Sequence, residues 1–162
     1  MNVHTLTRTQ FLPSPPEEVF VFFQSPENLG VITPPRLSFR ILTPLPIVMG
    51  VGTLIDYTVR WLGVPVRWTT MITAYDAPRL FVDQQIRGPY SLWHHTHAFE
   101  RRDGGTVMTD TVRYVVPYGL WGGFVHRVLV RRQVQEIFDY RAEAIARKFP
   151  TQHNAAEKEM HA

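Results

Sequence analysis

SLWHHTHAFERRDGGTVMTDTVRYVV, residues 91–116, reads as two alternating runs joined by Asp103-Gly104. Side chains in a pleated strand alternate between faces, so Trp93, His95, His97 and Phe99 share one side, and Leu92, His94, Thr96 and Ala98 the other. Asp-Gly is a favoured pair for a two-residue hairpin turn, in which both residues need positive φ. Setting Arg102 opposite Gly105 then puts Phe99 against Met108, His97 against Asp110, His95 against Val112 and Trp93 against Tyr114. Two imidazoles and a carboxylate are therefore expected on the face that aromatic side chains mark as internal. A buried carboxylate is costly without a partner, and an imidazole supplies one.

The period of two extends outward from this hairpin. LSFRIL (37–42), GTLIDYTVRW (52–61), VPVRWTTMITAY (64–75) and LFVDQQIR (80–87) alternate in the same way between Gly, Pro and Asp turns. Ile55, Tyr57, Val59 and Trp61 form one face of their strand, and Trp68, Thr70 and Ile72 one face of the next. The turn GPYS (88–91) does not fix which of Asp83, Gln84 and Gln85 points inward. Upstream, His4 to Phe11 reads as a strand. Ser14 can cap a helix with Pro15 at its first position and Glu17 completing a capping box, and that helix runs to about Gln24. Ser25, Pro26 and Glu27 start a second short helix that must end before Pro34 and Pro35.

Downstream, Pro117 to Gly123 breaks the alternation. Phe124, Val125, Val128, Leu129, Ile137, Phe138, Ile145 and Phe149 then recur at helical spacing, which predicts one helix from about Gly122 to Lys148. A sheet of that many antiparallel strands with one apolar face needs a cover, and an amphipathic helix of about 25 residues, roughly 37 Å long, is what the chain offers. The expected class is α+β: a seven-stranded curved antiparallel sheet wrapped on a long C-terminal helix, with two short helices after the first strand. Such a sheet leaves a cavity beneath the helix. Phe124, Val128 and Phe138 would lie over it, and Gly50, Gly52, Gly119, Gly122 and Gly123 would flank its openings.

At 162 residues, 44% hydrophobic and 19% charged, the chain suits one globular domain, residues 1–149. The stretch 150–162 lacks apolar periodicity and reads as a disordered polar tail. A net charge of +3 is small for a nucleic-acid binder, and no nucleic-acid partner is expected. His126, Arg127, Arg131 and Arg132 form the one basic concentration, a solvated helix face or a weak contact for acidic lipid. The absence of cysteine excludes disulfides and thiolate metal sites. No run reaches the length of a membrane span and the first residues lack a signal-peptide core, so a cytoplasmic protein without integral membrane association is expected.

Five segments carry a family resemblance: PPEEVFVFFQSPENLGVITPP (15–35), IDYTVRWLGVPVRWTTMITAYD (55–76), FVDQQIRGPYSLWHHTHAFE (81–100), DGGTVMTDTVRYVVPYG (103–119) and VRRQVQEIFDYR (130–141). In this order they resemble the helix-grip fold of the START and birch-pollen-allergen superfamily, SRPBCC, and a bacterial ligand-binding branch of it, over about residues 3 to 149. The superfamily includes lipid and sterol carriers, quinone-binding chaperones, aromatic polyketide cyclases and substrate domains of oxygenases. The resemblance implies the fold and an internal cavity, and it implies no metal or cofactor.

The His97–Asp110 cluster admits three uses: a network that only holds the sheet, a polar anchor for a ligand in an apolar pocket, or a catalytic pair. The functional expectation is binding of a hydrophobic or aromatic small molecule, such as a lipid, isoprenoid quinone or polyketide-like compound. Tyr57, Trp61, Trp68, Trp93, His95, His97, Asp110, Tyr114, Phe124 and Val128 are the expected ligand-binding residues. The alternative is a cyclase or dehydratase that uses the His97–Asp110 pair for acid-base chemistry; a third is an interaction domain whose cavity has filled in. No Gly-x-Ser-x-Gly elbow is present. His95 and His97 could hold a metal with a carboxylate as third ligand, but a two-residue motif is a weak signal and none is expected. His94 is expected on the outer face and exposed to solvent, and His4, His126, His153 and His161 as solvated side chains.

Overall fold

The computed structural model describes residues 2–117 and 126–150. Seven strands form one antiparallel sheet: β1 (His4–Leu12), β2 (Arg40–Ile41), β3 (Leu54–Trp61), β4 (Val64–Asp76), β5 (Leu80–Arg87), β6 (Leu92–Arg102) and β7 (Gly105–Val115). Their spatial order is β1-β7-β6-β5-β4-β3-β2. Helix α1 (Pro16–Phe23) and two 3-10 turns, Pro26–Gly30 and Pro35–Leu37, follow β1. A π turn, His126–Val130, leads into helix α2 (Arg131–Lys148). The register shifts along β4 after Thr69 and Ile72, bulges that help curve the sheet.

The Asp103-Gly104 turn has the two positive φ angles that its residues favour, 49° and 79°. The register beyond it is the one expected: Phe99 pairs with Met108, His97 with Asp110, His95 with Val112 and Trp93 with Tyr114. Because every inward residue of β6 and β7 depends on this turn, a side chain with a Cβ at Gly104 is penalised. Gly104→Val is expected to lower stability by roughly 1–2 kcal/mol, measured by urea unfolding, since Val resists positive φ. An unchanged midpoint would mean that the turn does not hold the register.

Several local expectations yield to tertiary partners. Ser14 and Glu17 do not form a capping box: Pro15 is the N-cap residue, with no side-chain cap. The Ser14 carbonyl instead accepts a hydrogen bond from the Thr106 hydroxyl at 2.7 Å, and both Glu17 oxygens accept from Arg101. The segment 37–42 contributes only Arg40–Ile41 to the sheet. Leu37 ends a 3-10 turn, Ser38 takes a left-handed conformation, and Pro44 and Pro46 follow, so few residues remain free to pair. The C-terminal helix is not continuous α-helix, because a π turn precedes Arg131, and Leu129 faces outward. Residues 118–125, including Gly119, Gly122, Gly123, Phe124 and Val125, lie outside the described residues, as do the side chains of His126 and Val128 and the tail with His153 and His161. Among the described residues no helix is long and apolar enough to cross a membrane.

The inner face of the sheet meets α1 and α2 in two apolar groups. One gathers Phe20, Phe81, Phe99, Met108, Ile145 and Phe149; the other gathers Trp68, Tyr90, Val112, Tyr114, Val134 and Phe138. Edge-to-face contacts of Phe20 with Phe81 and Phe99 hold α1 on the sheet.

Candidate functional site

A polar cluster bridges these two apolar groups. His97 stacks on Phe81, with centroids 4.2 Å apart, and His95 lies 5.4 Å from the Phe138 ring. The two imidazoles are themselves 3.9 Å apart. Each faces two carboxylates. Asp83 Oδ2 is 3.0 Å from His97 Nε2 and 3.5 Å from His95 Nδ1, while Asp110 Oδ1 is 2.6 Å from His97 Nδ1 and 3.4 Å from His95 Nε2. Only the His97–Asp83 contact has the alignment of a hydrogen bond. From α2, Arg141 sits 3.8 Å from the other Asp110 oxygen and over the Phe138 ring.

Asp83 enters because β5 pairs with β6 so that Phe81 stands beside His97 and Asp83 beside His95. That settles the orientation the turn after Arg87 leaves open. Gln85 also points inward, donating to the Tyr90 carbonyl, whereas Gln84 pairs with His94 on the other face.

Burial opposes every charge here, and the partners decide the outcome. For His97, burial lowers the pKa, but Asp110 and then Asp83 outweigh it and raise the value. For His95, burial and the neighbouring His97 lower it, against the two carboxylates. Burial pushes both acids up, yet both are held below the usual carboxylate range, Asp83 chiefly by the His97 hydrogen bond and Asp110, the more strongly, by the charge on His97. The two carboxylates thus favour a charged His97 more than a charged His95, and the Arg141 guanidinium lies against Asp110 from the helix side.

Beside this cluster is a cavity of about 160 Å³. Its walls are the inward faces read from alternation, namely Ile55, Tyr57, Val59 and Trp61 of β3 and Trp68, Thr70 and Ile72 of β4. Phe81, Asp83, Trp93, His95 and His97 continue them, and α2 adds Gln133, Ile137 and Arg141. The 3-10 turns close the far side with Leu29 and Leu37. Tyr57 and Trp68 stack at 5.9 Å and both bond the Thr70 hydroxyl, and burial pushes the Tyr57 hydroxyl pKa up.

Of the ten residues expected to bind ligand, Tyr57, Trp61, Trp68, Trp93, His95 and His97 therefore share the cavity wall. Asp110 stands behind the histidines instead of in the wall. Tyr114 borders a second hollow of about 300 Å³ between β1 and α2, with His4 and Arg131. Phe124 and the side chain of Val128 are outside the described residues. Phe138 packs on His95 in the core, so the helix residues facing the cavity are Gln133, Ile137 and Arg141. Sequence reasoning passed over Arg141 and Gln133 because polar residues on a helix usually mark its solvated side. Their spacing held the signal, since Gln133, Ile137 and Arg141 recur every four residues beside the buried Val134, Phe138 and Ile145.

Two outlying histidines also differ from expectation. His4 is half-buried, 5.5 Å from the Tyr114 ring, and burial lowers its pKa. His94 lies on the outer face but is half-buried. In the basic stretch, Arg127, Arg131 and Arg132 are exposed, and Arg132 bonds Glu136 at 2.8 Å, which makes it a partly neutralised solvated face.

No protein-family model matches the sequence, and no curated protein matches it. Solved structures do. TTHA0849 from Thermus thermophilus is 20% identical with a TM-score of 0.67, over 90% of this chain and 97% of that one. Ginseng major latex-like protein 151 from Panax ginseng is 12% identical with a TM-score of 0.67, over 92% and 99%. A norcoclaurine synthase point mutant from Thalictrum, in complex with a transition-state analogue, is 14% identical with a TM-score of 0.60, over 91% and 96%. With its strand order, the helices after β1 and the helix covering the sheet, the chain carries the helix-grip fold and shares that overall fold with these structures.

Proposed function

We propose that this protein binds a compact aromatic or short apolar molecule bearing one carbonyl or hydroxyl group, with that group directed at Arg141 and the histidine cluster. The observation that carries the reading is a set of buried polar atoms without hydrogen-bond partners among the described residues, Arg141 Nε and Nη1 and Gln133 Oε1, on residues that line a largely apolar cavity. Buried donors and acceptors ordinarily have partners, and apolar pockets use a few convergent polar groups to orient what they hold.

Volume limits the ligand. About 160 Å³ compares with the roughly 150 Å³ of an apolar cavity that takes benzene, and is below the ~300 Å³ at which pockets for drug-sized molecules begin. A lipid, isoprenoid quinone or polyketide would be enclosed only by its ring or head end. The Thalictrum structure holds a transition-state analogue, which supports an organic ligand here by fold-level analogy alone.

The test is calorimetric titration with single-ring aryl ketones and phenols, repeated on Arg141→Met, which keeps the apolar stem and removes the donors. The wild type should bind one molecule per chain, and the variant should bind more weakly by roughly 1–3 kcal/mol. Affinity unchanged by the substitution would remove Arg141 from the site. Turnover of a panel compound, with binding intact in the variant, would favour the cyclase or dehydratase alternative.

A further inference from the structure

We infer that Asp83, His95 and His97 form a binding site for a divalent first-row transition ion of the zinc or iron(II) kind, its open coordination positions facing the cavity. One ligand atom from each of these residues lies within 4.8 Å of the others. Four-coordinate ligands about 2.0–2.1 Å from an ion are separated from one another by roughly 3.3 Å. Asp83 Oδ2 stands 3.0 Å from His97 Nε2 and 3.5 Å from His95 Nδ1, which brackets that separation. An ion would replace the single hydrogen bond now made between His97 and Asp83.

The second observation is what lies behind the histidines. The nitrogen that each ring does not offer to Asp83 faces one oxygen of Asp110, at 2.6 Å from His97 and 3.4 Å from His95. Metal-bound histidines characteristically donate their other N–H to a carboxylate, which fixes the tautomer and the ring orientation. Here one buried carboxylate oxygen stands opposite both rings, close to each though not aligned as a hydrogen bond, and Arg141 lies against its other oxygen. The layering runs the same way: Asp83, His95 and His97 border the cavity, and Asp110 does not. A network serving only to hold the sheet has no need to divide its two carboxylates into one on the cavity side and one behind.

Two imidazoles with one carboxylate suit borderline ions and disfavour calcium and magnesium, which take oxygen ligands. The three residues come from adjacent strands β5 and β6, a rigid mount that leaves the cavity side free for water or for a ligand oxygen. The inference rests on this cluster alone and stands whatever organic molecule the cavity holds.

The test uses the full chain, stripped with chelator and free of organic ligand, titrated with cobalt(II) and followed by visible absorption, with zinc(II) as competitor. One ion per chain should bind, with the intense ligand-field bands of a low-coordinate site. His95→Gln and Asp83→Asn should each weaken it at least roughly 100-fold. Asp110→Asn should keep the stoichiometry and weaken it by roughly 10- to 100-fold, as outer carboxylates do. The double variant His153→Gln/His161→Gln should bind as the wild type does. Weak, six-coordinate cobalt spectra in the wild type, or binding that survives His95→Gln while falling in the tail variant, would overturn the assignment. Circular dichroism of each variant separates loss of the site from loss of the fold, and the wild-type titration decides the question if a variant does not fold.

Discussion

Asp110→Ala is expected to lower the free energy of unfolding by roughly 3–5 kcal/mol, the cost of breaking a buried ionic group by removing one partner. Asp110 is 4% exposed and faces His97, His95 and Arg141 at once. Without it, His97 and the Arg141 guanidinium keep only Asp83 near them, in surroundings made of Phe81, Phe138 and Trp93. A loss of that size is a large share of the roughly 5–15 kcal/mol that holds a domain of this kind together. Asp110→Asn keeps the shape and one acceptor and should lose less. Equilibrium urea unfolding, followed by tryptophan fluorescence, measures both. A loss below about 1 kcal/mol for alanine would mean that the charges are not compensated through Asp110.

Val59→Trp is expected to abolish ligand binding while the protein stays folded. Val59 projects into the cavity from β3, away from the ionic cluster, so a larger side chain there removes space without touching the polar groups. A single aromatic ring buries on the order of 150 Å² or more, worth roughly 4 kcal/mol at about 25 cal/mol per Å². Losing most of that contact should weaken binding by roughly 100-fold or more. Overpacking a filled core would cost roughly 1–3 kcal/mol in stability, and an indole that enters empty space should cost less. Undiminished affinity in a folded Val59→Trp protein would show that the ligand sits elsewhere.

The parts of the site legible in the sequence are those that follow from a period of two and from one turn. Asp103-Gly104 fixes β6 against β7, and the match of His97 to Asp110 follows from counting outward. The same alternation found the walls from Ile55 to Ile72. Asp83 stayed undecided because the turn after Arg87 is held by tertiary contacts: Gln85 reaches the Tyr90 backbone, and Tyr90 buries its ring against Trp61, Trp68 and Trp93. No local rule encodes that packing. The capping box of Ser14 and Glu17 is absent for the same kind of reason, since Arg101 of β6 takes both Glu17 carboxylate oxygens. Arg141 was hidden by its charge, which only the acids of β5 and β7 make tolerable in the interior.

If the cavity and the histidine cluster form one binding site, both must respond to the same ligand at the same concentration. Imidazole and indole NMR signals of the metal-free protein, recorded while a single-ring aryl ketone is added, report on the two regions at once. His95, His97, Trp68 and Trp93 are expected to shift together and to saturate at one ligand per chain. Saturating shifts confined to other residues, with these four unmoved, would contradict a shared site.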